Sequence, residues 1–110
     1  MKFEVFNSTY EMETALSYKD KIRIAQLAPD TWDTELDEPR LEYQQPWSEL
    51  RAEIIPEFSA LCMLYAERLL DQVPDHPPIG LIQATYADSN IEAWVSKRVF
   101  DICNSTQSPE

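Results

Sequence analysis

The sequence predicts an α/β fold, a small parallel sheet flanked by helices, and three stretches predict it. Ile22 to Ala28 (Ile-Arg-Ile-Ala-Gln-Leu-Ala) has strand character and stops at Pro29. Ile79, Leu81 and Ile82, then Ala84, form a second apolar run broken at Gln83. Its length and β-branched residues suit a buried strand. Between the two, Phe58 to Val73 repeats apolar residues at helical spacing. Strands that alternate with helices pair in parallel, and both faces of such a sheet need cover.

The elements follow in order. Residues 1 to 7 set Met1, Phe3 and Val5 against Lys2 and Glu4, the alternation of a short strand or edge segment. Ser8 with Glu11 fits a capping box, so a helix is expected from about Thr9 to Lys19. After the first strand, residues 30 to 53 carry Asp30, Asp33, Glu35, Asp37, Glu38, Glu42, Glu49 and Glu53, interrupted by Pro39 and Pro46. This reads as a long acidic surface loop, pinned to the body by Trp32 and Trp47. Asp37 and Glu38 together could take a hard cation. No Asp-x-Asp-x-Asp-Gly pattern accompanies them, and a solvated charged loop is the simpler reading.

In the strongest helix, Phe58, Leu61, Cys62, Tyr65, Leu69 and Val73 recur on one stripe, widened by Ala60, Leu64 and Ala66. Glu67, Arg68 and Asp71 mark the outside. A stripe this wide implies a helix packed deeply on the sheet, and Cys62 reads as a buried structural thiol. Pro74, Asp75, His76, Pro77 and Pro78 make a stiff turn into the second strand.

Residues 85 to 88 end that strand. Ser89 with Glu92 makes another capping box, in which the hydroxyl takes the Glu92 amide and the carboxylate reaches back to the Ser89 amide. A helix is expected from about Asn90 to Cys103, burying Ile91, Trp94, Val95, Val99 and Ile102, with residues 104 to 110 as a polar tail. The stretch is thus strand, loop, helix, and loops at strand C-termini are where α/β proteins bind ligands.

Composition removes several functions. The 110 residues carry 20 acidic against 9 basic side chains, a net charge of −11. Nucleic-acid binding and adhesion to anionic membranes both need the opposite sign. No run approaches the roughly 18 apolar residues of a membrane span, and the start Met-Lys-Phe-Glu-Val shows no signal-peptide core. Gly80 is the single glycine, which argues against a P-loop, a dinucleotide fingerprint or a glycine-framed nucleophile elbow. Two Cys and one His, far apart, make neither a disulfide framework nor a zinc site. No cofactor is expected.

Pro78-Ile79-Gly80-Leu81-Ile82 and Ile91-Glu92-Ala93-Trp94 resemble the sialate O-acetylesterases, esterases of the SGNH-hydrolase type. In that family a strand Pro-Ile-Gly-Leu-Ile leads into Ser-Ser-Trp-Gly-Gly-Thr and then Pro-Ile-Glu-Ala-Trp. Here Tyr86 stands for the Trp, Ala87 and Asp88 for the two Gly, and Ser89 for the Thr. Ile22-Arg23-Ile24, Pro46-Trp47-Ser48, Phe58-Ser59-Ala60-Leu61-Cys62 and the spacing from Trp94 to Cys103 extend the likeness over nearly the whole chain.

The resemblance implies a partial SGNH-hydrolase-like (flavodoxin-like) three-layer sandwich over residues 1 to 110. It implies a family activity, hydrolysis of O-acetyl esters of sialic acids by a Ser nucleophile, and a lysosomal or secreted full-length relative. Met1 falls on the Met of the family's Gly-Gln-Ser-Asn-Met. The nucleophilic Ser would then lie upstream and the Asp-x-x-His segment downstream, so no catalytic residue is expected in this chain. The loop of the oxyanion position is degenerate, since Ala87 adds a Cβ and Asp88 a carboxylate that repels a developing oxyanion. Ser89 reads better as a cap than as a nucleophile. His76 beside Asp75 looks triad-like, but adjacent side chains on an extended segment diverge. Asn7-Ser8-Thr9 and Asn104-Ser105-Thr106 fit the glycosylation pattern, which matters only for a chain that enters the secretory route. Two readings remain: a scaffold piece of an esterase, completed by the rest of its domain, or a non-catalytic binding module. As a module, its acidic surface would repel sialic acid and favour a basic protein partner.

Overall fold

A computed structural model describes residues 9–28, 31–38 and 45–105. The elements are helix α1 (Thr9–Leu16), strand β1 (Ile22–Gln26), strand β2 (Gln45–Glu49), a 3₁₀ turn at Ile55–Glu57, helix α2 (Ala60–Gln72), strand β3 (Ile79–Gln83), a second 3₁₀ turn at Ile91–Trp94 and helix α3 (Lys97–Ser105). The α/β character stands. Residues 1–8, which include the expected edge segment, the cap Ser8 and Asn7, lie outside the described residues, as do Pro29, Asp30, Pro39, Glu42 and 106–110.

The sheet runs β2-β1-β3. β1 and β3 pair in parallel and in register, from Ile22 opposite Ile79 to Gln26 opposite Gln83. β2 pairs antiparallel with β1, Arg23 facing Glu49 and Ile24 facing Ser48, with an irregularity between Ile24 and Gln26. This corrects the expected all-parallel sheet and the expected continuous acidic loop. Pro46 hid the strand. Proline cannot donate to a ladder, yet an edge strand has one side that needs no donor, and β2 is at the edge.

Side-chain alternation decides what the sheet covers. Ile22 and Ile24 of β1 are fully buried and pack with Ala15 of α1, Ile55, Phe58, and Ala60, Met63 and Ala66 of α2. Ile79 and Leu81 of β3 pack on the same cluster. The alternate positions Arg23, Ala25, Gly80 and Ile82 therefore point to the reverse face. There the Trp47 ring lies over Gly80, so that a Cβ at Gly80 would stand 3.0 Å from Cη2 and 3.4 Å from Cζ3. Arg23 reaches Glu49 at 3.3 Å, and Ile82 stays 58% exposed. Among the described residues α1 and α2 share one face, so two layers of the expected partial three-layer sandwich are present. β3 is half-buried rather than the buried strand expected.

The close approach of Trp47 gives a test. Gly80→Val places methyl groups where the ring sits and lifts it into water. A red-shifted tryptophan emission is expected, with no such difference between the glycine and valine forms in a Trp47→Phe background. Stability should change by less than about 1 kcal/mol, since the displaced ring is already half exposed.

α2 starts where the Ser59 hydroxyl accepts the Cys62 amide at 3.3 Å, and Pro74 follows its last turn. Its buried positions are Ala60, Met63, Ala66 and Glu67. Part of the stripe read from the sequence is turned outward, with Leu61 73% exposed and Leu64, Tyr65 and Val73 exposed as well, while Phe58 is buried and Cys62 and Leu69 are half-buried. A helix apolar nearly all round offers two faces at helical spacing. The small Ala60 and Ala66 let one of them sit close on the sheet, and that face won. Glu67, expected outside, is buried, and its Oε1 has no hydrogen-bond partner. Cys62 is half-buried against the core, and no disulfide joins it to exposed Cys103.

The last helix is shorter than expected. Val95 is extended (φ −99, ψ 136) and separates the turn Ile91–Trp94 from α3. Ile91, Trp94, Val99 and Ile102 are exposed, not buried. The backbone stays helical through Ser105, so the polar tail begins later than residue 104 and Asn104 lies on the helix. Among the described residues no helix is long and apolar enough to cross a membrane.

Candidate functional site

The site follows β3. Gln83, the last residue of the strand, accepts the Ser59 amide on Oε1 at 2.7 Å and approaches Thr85 Oγ1 with Nε2 at 3.4 Å. One side chain thereby ties the strand end to the start of α2 and fixes where the loop leaves the sheet. The chain then folds back on itself. The Ser89 amide meets the Tyr86 carbonyl at 3.4 Å, and the Ser89 hydroxyl donates to the same carbonyl at 2.7 Å. Asp88 closes this turn with φ 57, in the left-handed region. Asp tolerates that region better than most residues, and glycine holds it freely. Asp88 is the position that the resemblance matches to the second glycine of the family loop.

Ser89 does not form the expected capping box. The 3₁₀ turn starts with Asn90 as its cap and has no side-chain cap bond. Its hydroxyl instead accepts the Trp94 indole N–H at 2.8 Å. The physical reason is competition within one turn. The Ser-x-x-Glu spacing suits a helix start, but the Tyr86 carbonyl and the Trp94 indole reach the hydroxyl from either side and occupy it. Glu92 is exposed, and the Ser89 amide that it was expected to hold goes to Tyr86. Tyr86, Ala87 and Asp88 are exposed. The loop is a closed set of hydrogen bonds around Ser89, with the flanking side chains in water.

The chemistry available to Ser89 is limited. Its proton goes to a backbone carbonyl, which cannot act as a general base. His76 stands before the first residue of β3, and the loop leaves after the last. The strand alone separates them by about 13 Å at ~3.3 Å per residue. The His76 Nδ1 lies 2.7 Å from the Pro77 carbonyl, and Asp75 beside it takes a left-handed backbone, φ 55. Asp75, His76 and Ser89 therefore form no triad. Asp37 and Glu38 are exposed, and among the described residues no three His, Cys, Asp or Glu side chains gather as a metal site would need.

An open groove adjoins the loop through Trp94. It encloses ≈ 1530 Å³ between residues 32–36 and 93–102, with Trp32, Glu35, Trp94, Lys97 and Phe100 on its walls. Glu35 Oε1 accepts the Lys97 amide at 2.7 Å, a carboxylate at the N-terminus of α3 where the helix dipole favours it. This bond holds the acidic segment against the last helix. Sequence reading assigned Glu35 to a solvated acidic run and Trp94 to the core. The indole N–H of Trp94, which needs a partner wherever it is shielded from water, was the signal available.

Comparison with known proteins finds relatives of one kind. The chain is 32% identical over 104 residues to the sialate O-acetylesterases of Pongo abelii and of Homo sapiens, and 28% identical over 105 residues to that of Mus musculus. Each match covers 91% of this chain and 19% of the relative. The chain thus spans about a fifth of the length of the curated relatives it matches. No family model matches. The similarity supports kinship with one segment of these esterases.

Proposed function

We propose that this chain is a scaffold segment of a sialate O-acetylesterase-type hydrolase. The complete domain of such an enzyme, an SGNH-type α/β sandwich, removes acetyl groups from sialic acid hydroxyls. The observation that carries the reading is the match over 91% of the chain to esterases of that name. In this reading the segment supplies β1, β3 and the loop from residue 84 to 90. Polypeptide outside the match supplies the nucleophile, its base and the oxyanion donors.

The segment alone has no esterase turnover. Ser89 gives its proton to a carbonyl and takes the Trp94 indole, so nothing activates it. Asp88 puts a carboxylate where the family loop has glycine, and a negative charge there opposes the charge that builds on an acyl oxygen. Purified chain mixed with O-acetylated sialic acid or with p-nitrophenyl acetate is expected to release acetate no faster than buffer. Turnover that disappears in Ser89→Ala would overturn this.

A further inference from the structure

We infer that Tyr18, Glu67 and Asp71 form a proton-controlled clasp between the turn that joins α1 to β1 and the C-terminal half of α2, closed while Glu67 keeps its proton and loosened when Glu67 ionises. The inference is independent of the esterase reading. The Tyr18 hydroxyl donates to Asp71 Oδ1 at 2.6 Å across 53 positions of sequence. The Tyr18 carbonyl accepts the Lys21 and Ile22 amides at 2.9 and 3.0 Å, closing the turn into β1, and its side chain packs on the core. One residue thereby ties the entry of the central strand to the far end of α2. A bond this short to a carboxylate is charge-assisted, so Asp71 holds the negative charge of the clasp.

Glu67 stands one turn before Asp71 on the same face of α2. It is 8% exposed, and its Oε1 has no hydrogen-bond partner. The groups around it do not neutralise it. Asp71 carries the same sign, and Cys62, on the same helix, is half-buried. The turn contributes Tyr18, whose phenol feels the Glu67 charge. Lys19, Asp20 and Lys21 of that turn, and Arg68 of α2, are exposed, and none of them supplies a partner to Oε1. α1, β1 and β3 bring only apolar side chains to the core cluster. A charge on Glu67 would be buried, unpaired and beside a like charge, and two carboxylates sharing a site resist ionising together.

The far end of α2 is the part that can yield. Its buried apolar side chains, Ala60, Met63 and Ala66, all precede Glu67, whereas Arg68, Asp71 and Gln72 are exposed and Leu69 and Leu70 half-buried. Lifting the last turn puts Glu67 in water and gives up the Tyr18–Asp71 bond, a local opening in place of global unfolding. The sign is opposite to that of ordinary acid denaturation. Burial first, and the Asp71 charge after it, make Glu67 hold its proton more firmly in the closed clasp than in water. Closure is therefore favoured in mild acid and weakens as pH rises.

Amide hydrogen exchange of the 110-residue chain tests the clasp, at about pH 4.5, close to the value of a solvated Glu, and at about pH 7.5. Protection factors remove the intrinsic pH dependence of exchange. The amides of residues 69–72 are expected to open more readily than those of β1 at both values, and to lose protection several-fold at the higher one. Glu67→Gln, with no proton to lose, should abolish that loss. Asp71→Asn removes the neighbouring charge and should make the loss smaller. Tyr18→Phe deletes the bond itself and should lower protection of the same amides at the lower pH. A pH dependence that survives Glu67→Gln overturns the clasp, as does an undiminished loss in Asp71→Asn. Amides at 69–72 that exchange no faster than those of β1, or that ignore Tyr18→Phe, overturn it as well, because the end of α2 would then open only with the whole chain.

Discussion

Phe58→Ala is expected to destabilise the chain by about 3–5 kcal/mol. Domains of this size hold only about 5–15 kcal/mol in total, so the variant should lose a large share of its stability and melt well below the parent chain. Phe58 is 1% exposed and is the largest fully buried side chain among the described residues. It sits between the 3₁₀ turn, where its amide bonds the Ile55 carbonyl at 3.0 Å, and the cap of α2 at Ser59. Removing the ring empties the junction between the turn, the helix and the Ile22–Ile24 face of the sheet. The surrounding backbone is held from three sides and cannot close the space. Urea unfolding followed by circular dichroism measures the loss. Phe58→Leu, which keeps most of the volume, should lose no more than about 1.5 kcal/mol.

Glu67→Gln should do the opposite and stabilise the chain at pH 7, because it removes a buried charge while keeping the shape of the side chain. Glu67 is 8% exposed with an unpartnered Oε1. Burial pushes its carboxyl above the ordinary value, and the charge of Asp71 one turn later adds to this. Asp71 is itself the acceptor for the Tyr18 hydroxyl at 2.6 Å. That hydrogen bond leads the causes that hold the Tyr18 phenol up to about 12, with burial and the charges of Asp71 and Glu67 behind it. Because the folded state keeps the Glu67 proton to higher pH than the unfolded state does, the chain loses stability as pH rises from about 4.3 through the folded value. Below about pH 4 both states are protonated and the Gln variant should gain little. Melting curves of the two forms at pH 4 and pH 7 measure the difference. An equal gain at both values would mean that packing, not charge, distinguishes them.

The parts of the fold that were legible in the sequence are those where one pattern had one outcome. Ile-Arg-Ile and Ile-Gly-Leu-Ile are short and β-branched, and they pair in parallel. The helix from 60 to 72 was legible as a helix but not in its orientation. Its apolar residues surround it, and only the facing sheet decides between Leu61 and Met63. β2 was not legible, since Pro46 inside five residues contradicts a strand unless that strand is known to be an edge. The loop after β3 was legible in position and not in its bonds. Ser89 and Glu92 have the spacing of a cap, and the Tyr86 carbonyl and Trp94 indole that displace it come from the tertiary turn. The groove beside it depends on Glu35 meeting Lys97 across 62 positions, which no local pattern announces.

Asp88 separates two kinds of change that a loop can undergo. Its φ of 57 is a conformation that glycine holds without strain, so a glycine would fit the turn as it stands. At this position the backbone has a shape that suits glycine, while the side chain is a carboxylate. Restoring Asp88→Gly would therefore remove a carboxylate without asking the main chain to move.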